Sequence, residues 1–172
     1  MRGPVPLPDP VEILILDCDG VLTDGGMYFD AEGQAMKRFD VKDGLALAEL
    51  AKRGFPTAVV SGDQSSITAA RCARLSIGHT CLGRMDKEVA LREVLEAAGV
   101  EASQAVYIGD DVTDVPAIRM VGLGVAVADA VAEAKAAADW VTERPGGYGA
   151  VREVCDAIMA QLVEQGRAEP WC

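Results

Sequence analysis

The sequence predicts an α/β fold: an open, doubly wound, Rossmann-like parallel sheet with a small β-hairpin flap and no cap domain. Two observations carry this prediction. Short, nearly continuous aliphatic runs alternate with helix-patterned stretches along the whole chain, and buried parallel strands joined by right-handed crossovers give that reading. The gaps between the aliphatic runs also hold no more than a hairpin or a helix, which is too little chain to fold a separate lid.

In chain order, a proline-rich lead over residues 1–10 precedes a strand over 11–16 (VEILIL), which ends at Asp17. Residues 25–40 place two aromatic-containing segments around Asp30-Ala31-Glu32-Gly33, a turn cluster that predicts the hairpin flap. A helix over 43–53 stops at Gly54, and a strand over 56–60 follows. Helices are predicted over 67–75 and 86–98, with a strand over 105–108 behind them. A helix over 113–121, a strand over 124–128, an Ala-rich helix from 131 and a segment at 139–142 complete the alternation. The last helix carries Val151, Val154, Cys155, Ile158 and Leu162 at helical spacing. A single domain is expected over 11–165, leaving 166–172 as a tail. That tail ends in Trp171 and Cys172, which favour burial, so it either reaches a neighbouring subunit or rests on its own domain.

Composition narrows the function. The 172 residues include 27 acidic and 16 basic side chains, a formal charge of -11. That balance opposes nucleic acid and anionic membranes as partners, because both require clustered Lys and Arg. The five cysteines lack disulfide or zinc spacing, and with no signal-peptide pattern a cytoplasmic address is expected.

The chemistry-bearing residues fall at the ends of predicted strands, where open α/β sheets bind ligands. Asp17-Cys18-Asp19-Gly20 offers two carboxylates, one able to attack an electrophile and the other to manage a proton. Ser61-Gly62 ends the second strand, where Ser61 either helps hold an anion or caps a helix with Gln64. Lys87 opens a helix, a place that disfavours a cation unless an anion is near. Asp110, Asp111 and Asp114 cluster after the third strand. Their oxygen-only character suits magnesium better than zinc, and with His79 as the single histidine a His-based triad is improbable.

Taken together, DCDGVLTDG, VVSG, Lys87 and GDDVTD resemble the four motifs of the haloacid dehalogenase superfamily of phosphohydrolases. A closer resemblance runs from Ile13 to about Leu162: FDVKDG, RCARLSIGH, GLGVAVADA and GGYGAVREVCD are similar to the 3-deoxy-D-manno-octulosonate 8-phosphate phosphatases, whose nearest relatives act on nonulosonate 9-phosphates. The resemblance implies a magnesium-dependent, capless, homotetrameric phosphatase of a sugar-acid phosphate. By the same resemblance Asp17 is the nucleophile and Asp19 the general acid/base, with the Asp19 backbone carbonyl also ligating magnesium. Ser61 and Gly62 hold the phosphoryl group, Lys87 stabilises its charge, and the metal takes Asp17, Asp19 and Asp110, supported by Asp111 and Asp114. The chain departs from the family at Asp63 and Tyr148, where basic residues are usual. A sugar acid needs cationic partners, and Lys37, Arg38, Lys42, Arg71 and Arg84 are the candidates, of which Lys42 is assigned to substrate binding. The reading from a different class is a non-catalytic assembly module, like the domains attached to sugar-acid cytidylyltransferases.

Overall fold

In the computed structural model, which describes residues 6–171, six parallel strands form one sheet in the order β5-β4-β1-β6-β7-β8. These are β1 (Ile13–Leu16), β4 (Thr57–Ser61), β5 (His79–Leu82), β6 (Ala105–Gly109), β7 (Leu123–Ala126) and β8 (Trp140–Val141). Strands β1, β4 and β6 are buried along their full length, which is why each reads as an unbroken aliphatic run rather than an alternating one. The helices are α1 (Val41–Lys52), α2 (Ser66–Arg74), α3 (Lys87–Ala98), α4 (Val115–Met120), α5 (Ala132–Ala137) and α6 (Ala150–Glu164). The flap is a separate antiparallel pair, β2 (Tyr28–Asp30) and β3 (Gly33–Met36), and among the described residues no cap domain is evident.

Local chemistry sets the helix ends. Asp40 accepts from the Lys42 and Asp43 amides to start α1, Asp86 accepts from Val89 N to start α3, and Gly99 closes α3 at φ +68°. Helix α6 begins at Gly149, which has no side chain to offer. Asp43 of α1 supplies the cap instead, accepting from Gly149 N at 3.2 Å and Arg152 N at 2.7 Å, so α1 and α6 are locked together at the end nearest the site.

Two sequence expectations change here. Strand β5 is absent from the sequence reading, because His79-Thr80-Cys81-Leu82 sits half-exposed at the sheet edge and shows neither an aliphatic run nor clean alternation. Ser61 is the last residue of β4; the residue that caps α2 is Ser65, whose hydroxyl accepts from Thr68 N.

The tail packs on its own domain. Trp171 lies between the guanidinium groups of Arg53 and Arg152, with its ring centroid 5.5 and 5.2 Å away, and Arg53 also donates to the carbonyls of Glu169 and Pro170. Of the lead, Pro8 O accepts from the Gln161 side chain of α6. Residues 1–5 and Cys172 lie outside the described residues. Among the described residues no helix is long and apolar enough to cross a membrane.

Candidate active site

The strand order reverses beside β1: the chain builds outward through β4 and β5, then crosses back to β6 on the other side. The crevice at that switch point, beyond the carboxyl ends of β1, β4 and β6, is where Asp17, Ser61 and Asp110 stand. Asp17 continues the ladder through its amide to Ile108 O, so its carboxylate is aimed by the sheet itself.

Lys87, in the first turn of α3, is 3% exposed and resolves the conflict with the helix dipole by pairing across the crevice. Its ammonium lies 2.6 Å from Asp17 Oδ1 and 3.1 Å from Asp114 Oδ1, and it donates to Val60 O at 3.0 Å. Burial opposes its charge, yet Asp17 and Asp114 hold its pKa above the ordinary lysine value.

Asp17, Asp110 and Asp114 each offer an oxygen within 4.8 Å of the others. The Asp114 oxygens are already used: Oδ1 accepts from Tyr107 OH and Lys87, and Oδ2 accepts from the amides of Asp110 and Asp111. That leaves Asp110 and the second carboxylate oxygen of Asp17, whose Oδ1 faces Lys87, to hold a cation. Burial, then the neighbouring Asp114, pushes Asp17 up to about 6. Burial, then Asp17, Asp114 and Asp111, pushes Asp110 up to about 8. Two carboxylates that resist ionising side by side form a donor set that fits a hard divalent ion. Asp111 is exposed, and its carboxylate accepts from Val112 N to start the turn at residues 112–114.

The loop after β1 leaves no room for larger residues. A Cβ at Gly20 (φ +82°) would collide with Asp110 Oδ2, and one at Gly146 would collide with Gly20 O, so the GGYG segment packs directly on the loop after β1.

Asp19 belongs to a second group. Both of its carboxylate oxygens accept from Lys37 Nζ, at 2.7 and 2.8 Å, and Asp19 is not among the carboxylates grouped with Asp17. Lys37 also donates to Asp63 Oδ2 at 2.8 Å and Thr68 Oγ1 at 3.2 Å. Burial opposes ionisation of Asp63, but hydrogen bonds from Lys37, Ser65 and Thr68 hold it well below the usual carboxylate range. Sequence reasoning treated Lys37 only as one of five cations for a sugar carboxylate; nothing local marks a lysine whose partners lie 18 and 26 residues away.

The remaining candidates have other surroundings. Arg84 forks onto Glu93, and Arg38 stacks on Tyr148 at 4.1 Å and donates to Gly147 O. Arg71 stacks on Phe39 at 5.2 Å, and its buried Nε makes no hydrogen bond. Lys42 is exposed in the first turn of α1, and its ammonium joins neither acidic group. Ser61 is buried, its hydroxyl accepting from Asp63 N, with Gly62 beside it below Met85.

These features have counterparts in known proteins. The family of haloacid dehalogenase-like hydrolases matches over residues 81–152. The 3-deoxy-D-manno-octulosonate 8-phosphate phosphatase of Haemophilus influenzae is 44% identical over 149 residues, 87% of this chain and 83% of that protein. Its Escherichia coli K12 counterpart is 39% identical over 159 residues, 92% and 83% of the respective chains. The cobalt-bound structure of the Haemophilus influenzae phosphatase matches with a TM-score of 0.86 over 92% of this chain and 91% of that one. The Moraxella catarrhalis phosphatase, in complex with magnesium, phosphate and KDO, is 35% identical and matches with a TM-score of 0.85 over 91% of each chain. This chain therefore belongs to the haloacid dehalogenase-like hydrolases, within the family of the 3-deoxy-D-manno-octulosonate 8-phosphate phosphatases, which are phosphoric monoester hydrolases.

Proposed function

We propose that the protein hydrolyses 3-deoxy-D-manno-octulosonate 8-phosphate in a magnesium-dependent reaction through an aspartyl-phosphate on Asp17. The observation that carries the reading is the Asp17 carboxylate, fixed at the switch point and paired with Lys87 at 2.6 Å, with Asp110 beside it. Asp17 Oδ attacks phosphorus as the bond to the sugar oxygen breaks, and Asp19 gives that oxygen its proton. Water then attacks the aspartyl-phosphate, Asp19 takes the water's proton, and inorganic phosphate leaves with Asp17 restored. Ser61 and Gly62 hold the phosphoryl oxygens, and Lys87 balances their charge throughout. Magnesium, held by Asp17, Asp110 and the Asp19 carbonyl, would neutralise charge on the transferring group.

Phosphate release from a panel of sugar phosphates tests this directly. The sugar-acid phosphate should be the best substrate, EDTA should abolish its turnover, and Asp17→Asn should lower kcat by about 10³-fold or more in a folded protein. Turnover by Asp17→Asn above about a tenth of wild type, roughly 1.4 kcal/mol of barrier, would sink the nucleophile assignment. No turnover of any phosphate would favour the assembly module.

The flap exposes Met27, Phe29 and Met36 at more than half their surface. A two-stranded ribbon with uncovered apolar residues needs a partner, which supports a homotetramer whose subunits wall off the capless site. A monomeric mass by light scattering at micromolar concentration would refute it.

A further inference from the structure

Lys37, whose side chain is only 1% exposed, is the one ammonium outside the Lys87 group, among the described residues, that touches a carboxylate of the loop after β1. It follows directly on β3, and two residues later Phe39 makes an antiparallel bridge to Thr23 of the loop that carries Asp19. The chain leaving the flap is thus laid along the catalytic loop. Asp19 itself is 39% exposed, and its other side-chain contact is a long one of 3.4 Å from Thr23 Oγ1. Without Lys37 its carboxylate would turn freely in water.

The far side of Lys37 is anchored as firmly. Asp63 Oδ2 accepts from Lys37, from Ser65 Oγ at 2.6 Å and from Thr68 Oγ1 at 2.7 Å, while Asp63 Oδ1 accepts from Ser65 N. Ser65 is the N-cap of α2. A continuous line of hydrogen bonds therefore runs from Asp19 through Lys37 and Asp63 to the start of α2. The acid at position 63 acquires a purpose from this line: a cation there would repel Lys37 instead of holding it.

We propose that Lys37, anchored by Asp63, is a positioning residue that fixes the Asp19 carboxylate for its proton transfers and couples that placement to the flap. The proposal rests on the reading of Asp19 as general acid/base. A proton carrier held in one rotamer keeps its transfer distance, and a displacement of about 1 Å costs about 10²-fold in rate. The ammonium is engaged on every side by side chains of this chain, so it acts through Asp19 and not on substrate.

Kinetics on 3-deoxy-D-manno-octulosonate 8-phosphate separate the possibilities. Lys37→Met should lower kcat by about 10²-fold with KM within about threefold, and Asp63→Asn should lower kcat by about tenfold in the same pattern. The double variant Lys37→Met/Asp19→Asn should be no slower than Asp19→Asn alone, because a positioning residue has nothing left to position. Losses that multiply in the double variant would show a merely structural role and overturn the proposal. A raised KM with unchanged kcat would place Lys37 on the substrate and overturn it as well. If Asp19→Asn is inactive while Lys37→Met stays within about threefold of wild type, the inference alone fails; if Asp19→Asn is fully active, the reading of Asp19 fails first. Should Lys37→Met not fold, Asp63→Asn and Thr68→Val loosen the same lysine from its far side, and wild-type kcat in both would reject the proposal.

Discussion

Two lysines each grip one aspartate of the same short loop, and their surroundings differ in a way that separates chemistry from support. Around Lys87 three carboxylates, Asp17, Asp110 and Asp114, crowd one ammonium in a buried crevice, and burial, then the neighbouring carboxylates, raises the pKa of Asp17 and Asp110. Around Lys37 two carboxylates share one ammonium with the hydroxyls of Ser65 and Thr68, and Asp63 is held ionised. The first group is short of positive charge, a deficit that a cation would fill. The second is complete within the chain. Proximity of acids alone therefore does not mark a metal site; the deficit of donors does.

The sharpest way to break this comparison is to delete one anchoring carboxylate from each group. Asp114→Ala strands the buried Tyr107 OH and Lys87 ammonium and frees two part-buried backbone amides, and removing one partner of a buried charge network costs about 3–5 kcal/mol. Asp63→Ala opens a place that water reaches, with the Asp63 side chain 20% exposed, and there the loss should be about 1 kcal/mol. Urea unfolding midpoints with unchanged slopes measure both. Equal costs would mean that the two groups do not differ in the way described.

The unequal legibility of these groups has a physical origin. Asp17, Ser61 and Asp110 each follow an aliphatic run, and a strand buried on both faces is the one element whose end can be read from a single stretch of sequence. The Lys87 partners were foreshadowed by a cation at a helix start, a local anomaly that only a distant anion explains. Lys37 gave no such signal, because a lysine after a hairpin looks like any solvated lysine. Asp43 was equally silent: it lies inside the predicted helix, and its role in capping α6 joins residues 106 and 109 positions apart. Strand β5 was missed because an edge strand has no fully buried face to impose a pattern. Interactions local in sequence were readable, and those made by folding were not.

A smaller effect sharpens the same contrast without mutation. Burial and the neighbouring carboxylates push Asp17 up to about 6 and Asp110 up to about 8, from the ordinary carboxylate value of 3.8, so between about pH 4 and 8 the native state binds more protons than the unfolded chain. Stability of the metal-free protein must then fall as pH rises through that window. The raised pKa of Lys87 acts in the same direction only above the ordinary lysine value of 10.5, outside the window. On the proposed reading magnesium would favour the ionised carboxylates of the native state, so it should flatten the decline or reverse it. Thermal melts in EDTA should show the midpoint dropping by several degrees from pH 5 to 8, with the gain from magnesium largest at pH 8. Asp110→Asn removes the group with the larger shift and should shrink both the decline and the gain. If the pH slope is the same with EDTA and with magnesium, and Asp110→Asn leaves it unchanged, the charge deficit around Lys87 is not what separates the two groups.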